Sequence, residues 1–267
     1  MLYLGIDIGT SSLKMTIINE QKDILYENEY YYKYDEISDG YREINPKLWY
    51  EKVLKGIVEI PDRIAKKDIG CIGVTGQMHT TVVLDREGSP IRPAIMWNDI
   101  RAAKYIPDLK KELNVIEETK YIAKIISTGC PATSLLWIKE EEPQLYKKIH
   151  KVLCAKDYIV YTLTGQYSTD YCDASTSSLY NIMNKKWSIY MMNKLDIDES
   201  YFAKIYNSSH VIGCVHDKLI KQLGLDTKVK VVVGTGDNPA TAIATGILDN
   251  RSPIFSLGTS GVIIVPK

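Results

Sequence analysis

The sequence predicts an α/β fold, a mixed β-sheet flanked by helices, on three observations. Apolar, β-branched runs lie near both ends of the chain, at residues 2–8 and 253–257, and each leads through a Gly-Thr-Ser turn into a second such run. That is the pattern of a β-hairpin. The middle of the chain carries apolar residues at helical spacing. A Val-rich run at 228–234 stands directly before small, helix-compatible residues, a strand feeding a helix.

Along the chain, 2–8 and 13–19 are expected to pair across residues 9–12, and 21–32 to add a third antiparallel strand, its Tyr and Ile alternating with polar residues. Asn45 is a suitable N-cap and Pro46 a suitable first helical residue. They open a helix whose apolar positions include Leu48, Trp49, Val53, Leu54, Ile57 and Ile60. Residues 69–74 read as a short buried strand and 80–84 as another, followed by the turn-forming Asp85-Arg86-Glu87-Gly88. Residues 135–148 are helical, with Pro143 ending one helix and starting the next. Residues 157–163 form a helix closed by Thr164-Gly165. The chain then gives a strand at 228–234, a helix at 238–247, and a terminal hairpin of 253–257 and 262–265 around Gly258-Thr259-Ser260-Gly261.

Composition narrows the function classes. Of 267 residues, 45% are apolar and 25% charged, an ordinary globular balance expected to make one large domain or two smaller ones. Lys+Arg and Asp+Glu number 33 each, for a net charge of zero, which gives no support to a nucleic-acid or anionic-membrane partner. No stretch approaches the run of about 18 apolar residues that spans a bilayer. The opening Met1-Leu2-Tyr3-Leu4-Gly5 enters strand-like sequence without the features of a secretory leader. The nearest pair of the five cysteines, Cys154 and Cys172, has 17 residues between them. Neither a CxxC clip nor a disulfide framework fits, so reduced thiols and a cytoplasmic location are expected.

Several segments carry chemistry. Gly9-Thr10-Ser11 and Gly258-Thr259-Ser260 are turns in which glycine lets the backbone approach a ligand, and exposed N–H groups with adjacent hydroxyls suit phosphate oxygens. Asp7, just before the first turn, is placed to hold Mg²⁺ or its waters, or simply to bond its own backbone. Asp237, in Gly234-Thr235-Gly236-Asp237-Asn238, is either a helix cap or a general base for a hydroxyl attacking phosphorus. Gln77-Met78-His79 joins amide, thioether and imidazole at a strand end, which suits a polyol, although a lone His near apolar strands is also an ordinary structural residue. Trp97-Asn98-Asp99 with Arg101 has the same two readings: an indole for a sugar's C–H face beside polar groups, or a core Trp with an Arg101–Asp99 pair on a surface turn. Asp173 either lines the same cleft or caps a helix. His150, His210 and His216 are assigned no role.

Taken as a set, these segments resemble the FGGY family of carbohydrate kinases, within the actin-like (ribonuclease H-like) ATPase superfamily. The run from Leu4 to Lys14 resembles the family's opening phosphate-binding hairpin. Gly76-Gln77-Met78-His79, Arg92 through Arg101, Lys156-Asp157-Tyr158, Asp170 through Ser175, Gly236-Asp237-Asn238 and Ser256 through Val262 follow in family order and are most like its xylulose-phosphorylating branch. The resemblance implies transfer of the ATP γ-phosphoryl group to the C5 hydroxyl of D-xylulose. It implies Asp237 as base, Met78 and His79 as sugar contacts with Asn238 beside them, and Asp7 near Mg²⁺. Thr10, Ser11 and Lys14 match the first phosphate loop. The implied partners are a sugar and ATP, with a homodimer as a candidate assembly. Residues 1–245 correspond to a sugar-binding domain and 246–267 to the start of a second, nucleotide-binding one, so the chain alone is expected to turn over little ATP. Other sugars of the family (ribulose, gluconate, glycerol), a non-catalytic sugar-binding module and an actin-like chaperone or cytoskeletal ATPase are the alternatives.

Overall fold

Period-two alternation decides which way the first strands face. In β1 (Leu2–Ile8) the side chains of Leu4, Ile6 and Ile8 are buried, while Tyr3, Gly5 and Asp7 lie on the other face; in β2 (Ser12–Ile18) Leu13, Met15 and Ile17 are buried. The two pair antiparallel with Asp7 opposite Lys14, and β3 (Ile24–Tyr31) adds to β2 in the same sense, as the hairpin pattern predicts. The structure is a computed structural model that describes residues 1–226, 228–246, 253–257 and 261–264.

Helix α1 (Pro46–Val58) begins as expected: the Asn45 side chain accepts the Lys47 N–H at 3.1 Å and Pro46 occupies the first turn. Such a cap contributes about 1 kcal/mol. Trp49, Val53 and Ile57 are fully buried against the sheet, each side chain contributing about 1.5–3 kcal/mol by leaving water. The chain returns as β4 (Ile69–Gly76), parallel to β1.

Beyond β4 the chain leaves the main sheet. β5 (Val82–Leu84) is shorter than the predicted 80–84, because Thr81 instead bridges Ile95. Helix α2 (Pro131–Glu141) starts at the proline after Cys130, earlier than the apolar periodicity suggested, and Pro143 opens the next short helix as expected. β6 (Lys151–Leu153) pairs antiparallel with β5. Helix α3 (Ala155–Thr164) follows, closed by Gly165 in the left-handed region, and then α4 (Tyr171–Thr176), capped by Asp170.

The chain re-enters the main sheet through β7 (Val211–Cys214), antiparallel to β8 (Lys230–Val232), with α5 (Asp217–Leu223) between them. β8 and then β9 (Thr235–Gly236) both lie parallel along β4. The predicted strand 228–234 is therefore broken. Gly234 has φ +77°, and its N–H bonds Ser208 O at 2.9 Å instead of continuing the ladder. Helix α6 (Asp237–Ala244) leaves directly from β9. The terminal hairpin is β10 (Ile254–Leu257) with β11 (Gly261–Ile264); the second phosphate turn, Gly258, Thr259 and Ser260, lies outside the described residues.

Among the described residues two apolar cores result. One joins the inner sheet face to α1, α3 and α5 through residues such as Ile6, Met15, Trp49, Ile72, Ile159 and Leu219. The other gathers Val83, Leu113, Leu135, Val152, Met191 and Leu195 around the strand pair β5–β6. Among the described residues no helix is long and apolar enough to cross a membrane.

The break before β9 yields a test. A Cβ on Gly234 would stand 1.9 Å from Val74 O, in a backbone conformation that disfavours side chains. Gly234→Ala is expected to lower stability by about 2–4 kcal/mol, beyond the usual cost of a loop substitution. Urea denaturation with an unchanged midpoint would contradict this account of the break.

Candidate active site

Parallel pairing brings three strand ends to one edge of the sheet. Asp7 of β1 is in register with Thr75 of β4, and Thr75 with Thr235 of β9. Asp237 follows two residues after Thr235, directly beyond the end of β9. Carboxyl ends of parallel strands are where ligands bind in open α/β sheets. Asp7, Lys14, Thr75 and Thr235 face outward into a groove of about 610 Å³ floored by Gly5 and Gly73 and walled by Ala240, Ile243 and Ala244 of α6.

The two acids are close enough to sense each other. Burial raises the pKa of Asp7, the negative charge of Asp237 raises it further, and Lys14 opposes both. Burial also raises Asp237, against the N–H groups at the start of α6; its Oδ1 accepts the Asn238 N–H at 2.7 Å. The cap of α6 is Gly236, so Asp237 is the first helical residue and not the cap that one reading of the sequence allowed. Among the described residues, Asp7 Oδ1 and Thr75 Oγ1 are buried without a protein partner. A pair of hard oxygen donors in a half-dry groove suits Mg²⁺.

The first turn is held from outside itself. Gly9 N–H bonds Ser12 O at 2.9 Å, and Gly9 O accepts from the Tyr32 hydroxyl at 2.6 Å and from Gln77 Nε2 at 3.1 Å. Tyr32 was not singled out from the sequence, since nothing local marks a hydroxyl that reaches back from the far end of β3. Gln77, expected at the sugar, is buried. Its Oε1 accepts from Thr80 at 3.1 Å, so both ends of its amide are engaged by protein and its place is structural. Thr10 Oγ1 accepts from Trp97 Nε1 at 3.0 Å, linking the first turn to the segment that carries Trp97, which is 44% exposed.

Met78 and His79 lie where β4 ends. His79 has φ +69°, uncommon for a residue with a side chain and a frequent mark of functional sites. Its Nδ1 is buried with no protein partner among the described residues. Burial lowers the imidazole pKa, against a contact with the Thr176 backbone that raises it; the ring is neutral at pH 7 and able to give or take a hydrogen bond. Asn98 Oδ1 is likewise buried and without a partner among the described residues, and Asn238 is exposed beside Asp237.

Asp99 does not join them. Its Oδ1 accepts from Arg101 N and Nε at 2.8 and 2.9 Å, and its Oδ2 from Arg42 N and Arg101 Nη2 at 2.6 and 2.8 Å. Arg101 also pairs with Glu43 at 2.6 Å and lies over the Tyr41 and Trp137 rings, and Arg92 bonds the same Glu43 carboxylate. The Arg101–Asp99 pair expected on a surface turn is thus fully buried, and Asp99 serves as the internal fastening of the Trp97–Asn98 segment.

A second buried network lies behind Met78. Lys156 Nζ contacts Asp157 Oδ1 at 2.5 Å, Asp170 Oδ1 at 3.1 Å and Asp173 Oδ2 at 3.2 Å. One ammonium cannot neutralise three carboxylates out of water, and burial pushes Asp173 up to about 8. Cys154, Asp157 and Asp173 are spaced to hold a metal, but the ammonium of Lys156 already sits among these acids. Asp173 therefore neither caps α4, which is the work of Asp170, nor opens to the groove.

Residues 2–244 match the N-terminal domain of the FGGY family of carbohydrate kinases. The chain is 36% identical over 261 residues to xylulose kinase of Staphylococcus xylosus, covering 98% of this chain and 54% of that protein. It is 31% identical over 261 residues to xylulose kinase of Escherichia coli strain K12, covering 98% and 53%. The solved structure of gluconate kinase from Lactobacillus acidophilus superposes with a TM-score of 0.92 at 24% identity, covering 98% and 53%. The chain spans about half the length of the curated relatives it matches.

The electrostatics of Asp7 make a prediction. Its pKa is raised above the unfolded value, so the folded chain holds that proton more tightly, and stability falls as pH rises through the folded pKa. Asp7→Asn is expected to raise the thermal midpoint at pH 7 by about 2–4 °C, the effect of roughly 1 kcal/mol in a domain of this size. The gain should fade below about pH 4, where both folded and unfolded carboxyls are protonated. Calorimetry across this range showing a destabilised variant, or a gain that grows in acid, would refute it.

Proposed function

The chain belongs to the FGGY family of carbohydrate kinases, and from that premise we propose that it binds D-xylulose and contributes the catalytic base for its phosphorylation by ATP. The observation that carries this reading is that strand register brings Asp7 and Asp237 to one sheet edge, with the Gly9–Ser12 turn just after Asp7 and Met78 packed on Gly236 just before Asp237. One acid stands on the phosphate side and the other on the sugar side.

In this mechanism the sugar is held by Met78, the neutral His79 imidazole and the amides of Asn98 and Asn238, with its C–H face against Trp97. Asp237 accepts the proton of the C5 hydroxyl as that oxygen attacks the γ-phosphorus. Its burial keeps its basicity above that of a solvated carboxylate, and the Asn238 N–H fixes one oxygen, leaving the other lone pairs for the hydroxyl. The Gly9-Thr10-Ser11 turn and Lys14 align the phosphates, and the turn is prevented from drifting by Tyr32 and Gln77. Mg²⁺, when held through Asp7 and Thr75, supplies charge neutralisation at the phosphates. Phosphoryl transfer is driven by such alignment and charge compensation. The second phosphate turn and a nucleotide-binding domain from residue 246 onward complete the proposal. So do a cytoplasmic location and a homodimer as a candidate assembly.

The identities to two xylulose kinases favour this sugar; the likeness to a gluconate kinase is one of fold, so gluconate is the second reading. In the full-length protein, Asp237→Asn is expected to reduce kcat by about 10²–10⁴ while the affinity for D-xylulose changes by only a few-fold. Near-normal turnover would remove Asp237 from the base role, and faster phosphorylation of gluconate than of xylulose by the parent would reassign the substrate.

A further inference from the structure

The buried Lys156 network touches both segments that carry the proposed chemistry. β9 is only two residues long, bordered by the break at Gly234 on one side and by α6 on the other. Its pairing with β4 is correspondingly brief: Thr235 with Thr75 and Gly236 with Gly76. A strand this short does not by itself hold the direction of the helix that leaves it. The second hold is a side-chain bond: Thr235 Oγ1 donates to Asp170 Oδ2 at 2.7 Å.

Asp170 is itself immobilised. It caps α4 through the N–H groups of Cys172 and Asp173 at 3.1 and 3.3 Å, and its Oδ1 lies 3.1 Å from Lys156 Nζ. Lys156 is 1% exposed and is fixed in turn by Asp157 and Asp173. From the same helix, Cys172 Sγ points at Met78 Sδ at 3.6 Å. Met78 packs so closely on Gly236 that a Cβ there would stand 2.5 Å from its Cγ and Sδ and 3.4 Å from Asp173 Oδ1.

We propose that Asp170, anchored by the buried ammonium of Lys156, is a positioning residue for Asp237, acting through the Thr235 hydroxyl. The Lys156 network is then the common reference against which the base and the Met78 sugar contact are placed. A buried ion cluster is a poor stabiliser, since desolvation offsets most of its attraction, but it admits few alternative arrangements, which is what a short strand feeding a catalytic helix needs. The inference rests on the kinase reading only for its kinetic consequence; the mechanical link stands apart from it.

Thr235→Val tests the link, because it removes the hydroxyl without uncovering a buried charge, and Thr235→Ser is the conservative rescue. Two readouts are measured in the full-length protein. The first is the amide proton of Asn238, whose bond to Asp237 Oδ1 reports the carboxylate's placement by chemical shift and exchange protection, whether or not the protein phosphorylates sugar. Thr235→Val is expected to shift this resonance and to lower its protection by about tenfold or more, and Thr235→Ser to restore both. The second is kinetic: kcat falling by about tenfold or more with the KM for xylulose within about threefold, again restored by Ser. An unchanged Asn238 amide in a folded Thr235→Val protein would overturn the proposal, as would equal losses in Val and Ser. A shifted amide in a protein whose parent phosphorylates no sugar would uphold the link and fail the kinase reading instead.

Discussion

Main-chain hydrogen bonds between β1 and β4, and between β4 and β9, set a register that leaves no freedom to the groups at the groove. Asp7, Thr75 and Thr235 form one row across three parallel strands, although they are drawn from positions 7, 75 and 235 of the chain. Because side chains alternate, a slip of one residue in the β1–β4 pairing would turn Asp7 into the core and Ile6 or Ile8 into the groove. The apolar set Leu4, Ile6 and Ile8, buried to 1% exposure or less, holds the register against such a slip. The position of the acid is thus secured by the hydrophobic residues on either side of it.

Around this row the fold places two buried charge networks, one beneath each wall. Arg101, Arg92, Glu43 and Asp99 sit under the Trp97–Asn98 segment, with Trp137 and Tyr41 stacked on the guanidinium of Arg101. Lys156 with Asp157, Asp170 and Asp173 sits under Met78 and β9. Both lie beneath irregular backbone, where ladder hydrogen bonds are few. Charge pairs with strict geometry take over the orienting role there, at a cost in desolvation that the two apolar cores offset.

The groove and the segments beside it gather features that a folded chain sustains only at a cost. Among the described residues Asp7 Oδ1, Thr75 Oγ1, His79 Nδ1 and Asn98 Oδ1 are buried without protein partners, His79 is held at positive φ, and burial raises the cost of ionising both Asp7 and Asp237, with the charge of Asp237 adding to it at Asp7. Strain and unmet hydrogen bonding of this kind are sustained only when the surrounding packing over-determines them. They are the features a polar ligand would relieve.

What the sequence determined by itself is what depends on neighbours along the chain. The Asn45–Pro46 helix start, the Gly165 helix end, the β1–β2 hairpin and its Gly9 turn all follow from capping, turn and alternation rules acting over a few residues. Asp7, Asp237, Met78 and His79 were legible as candidates because each lies at or just beyond the end of a strand. The tertiary structure decided which candidates face the groove. Local sequence allowed Asp99 either a ligand or an arginine, and burial against Glu43 and Tyr41 settled it; Gln77 was withdrawn by Gly9 and Thr80. The bonds of Tyr32 and Thr235 carried no local signal, since their partners lie 65 residues away for Thr235 and Asp170 and 23 for Tyr32 and Gly9; Lys156, Asp157 and Asp170 stand in segments that resemble the family's, but nothing local joins them into one buried cluster. Short-range preferences are written residue by residue, whereas a side chain's partner across such distances exists only once the sheet register and the two cores have brought the segments together.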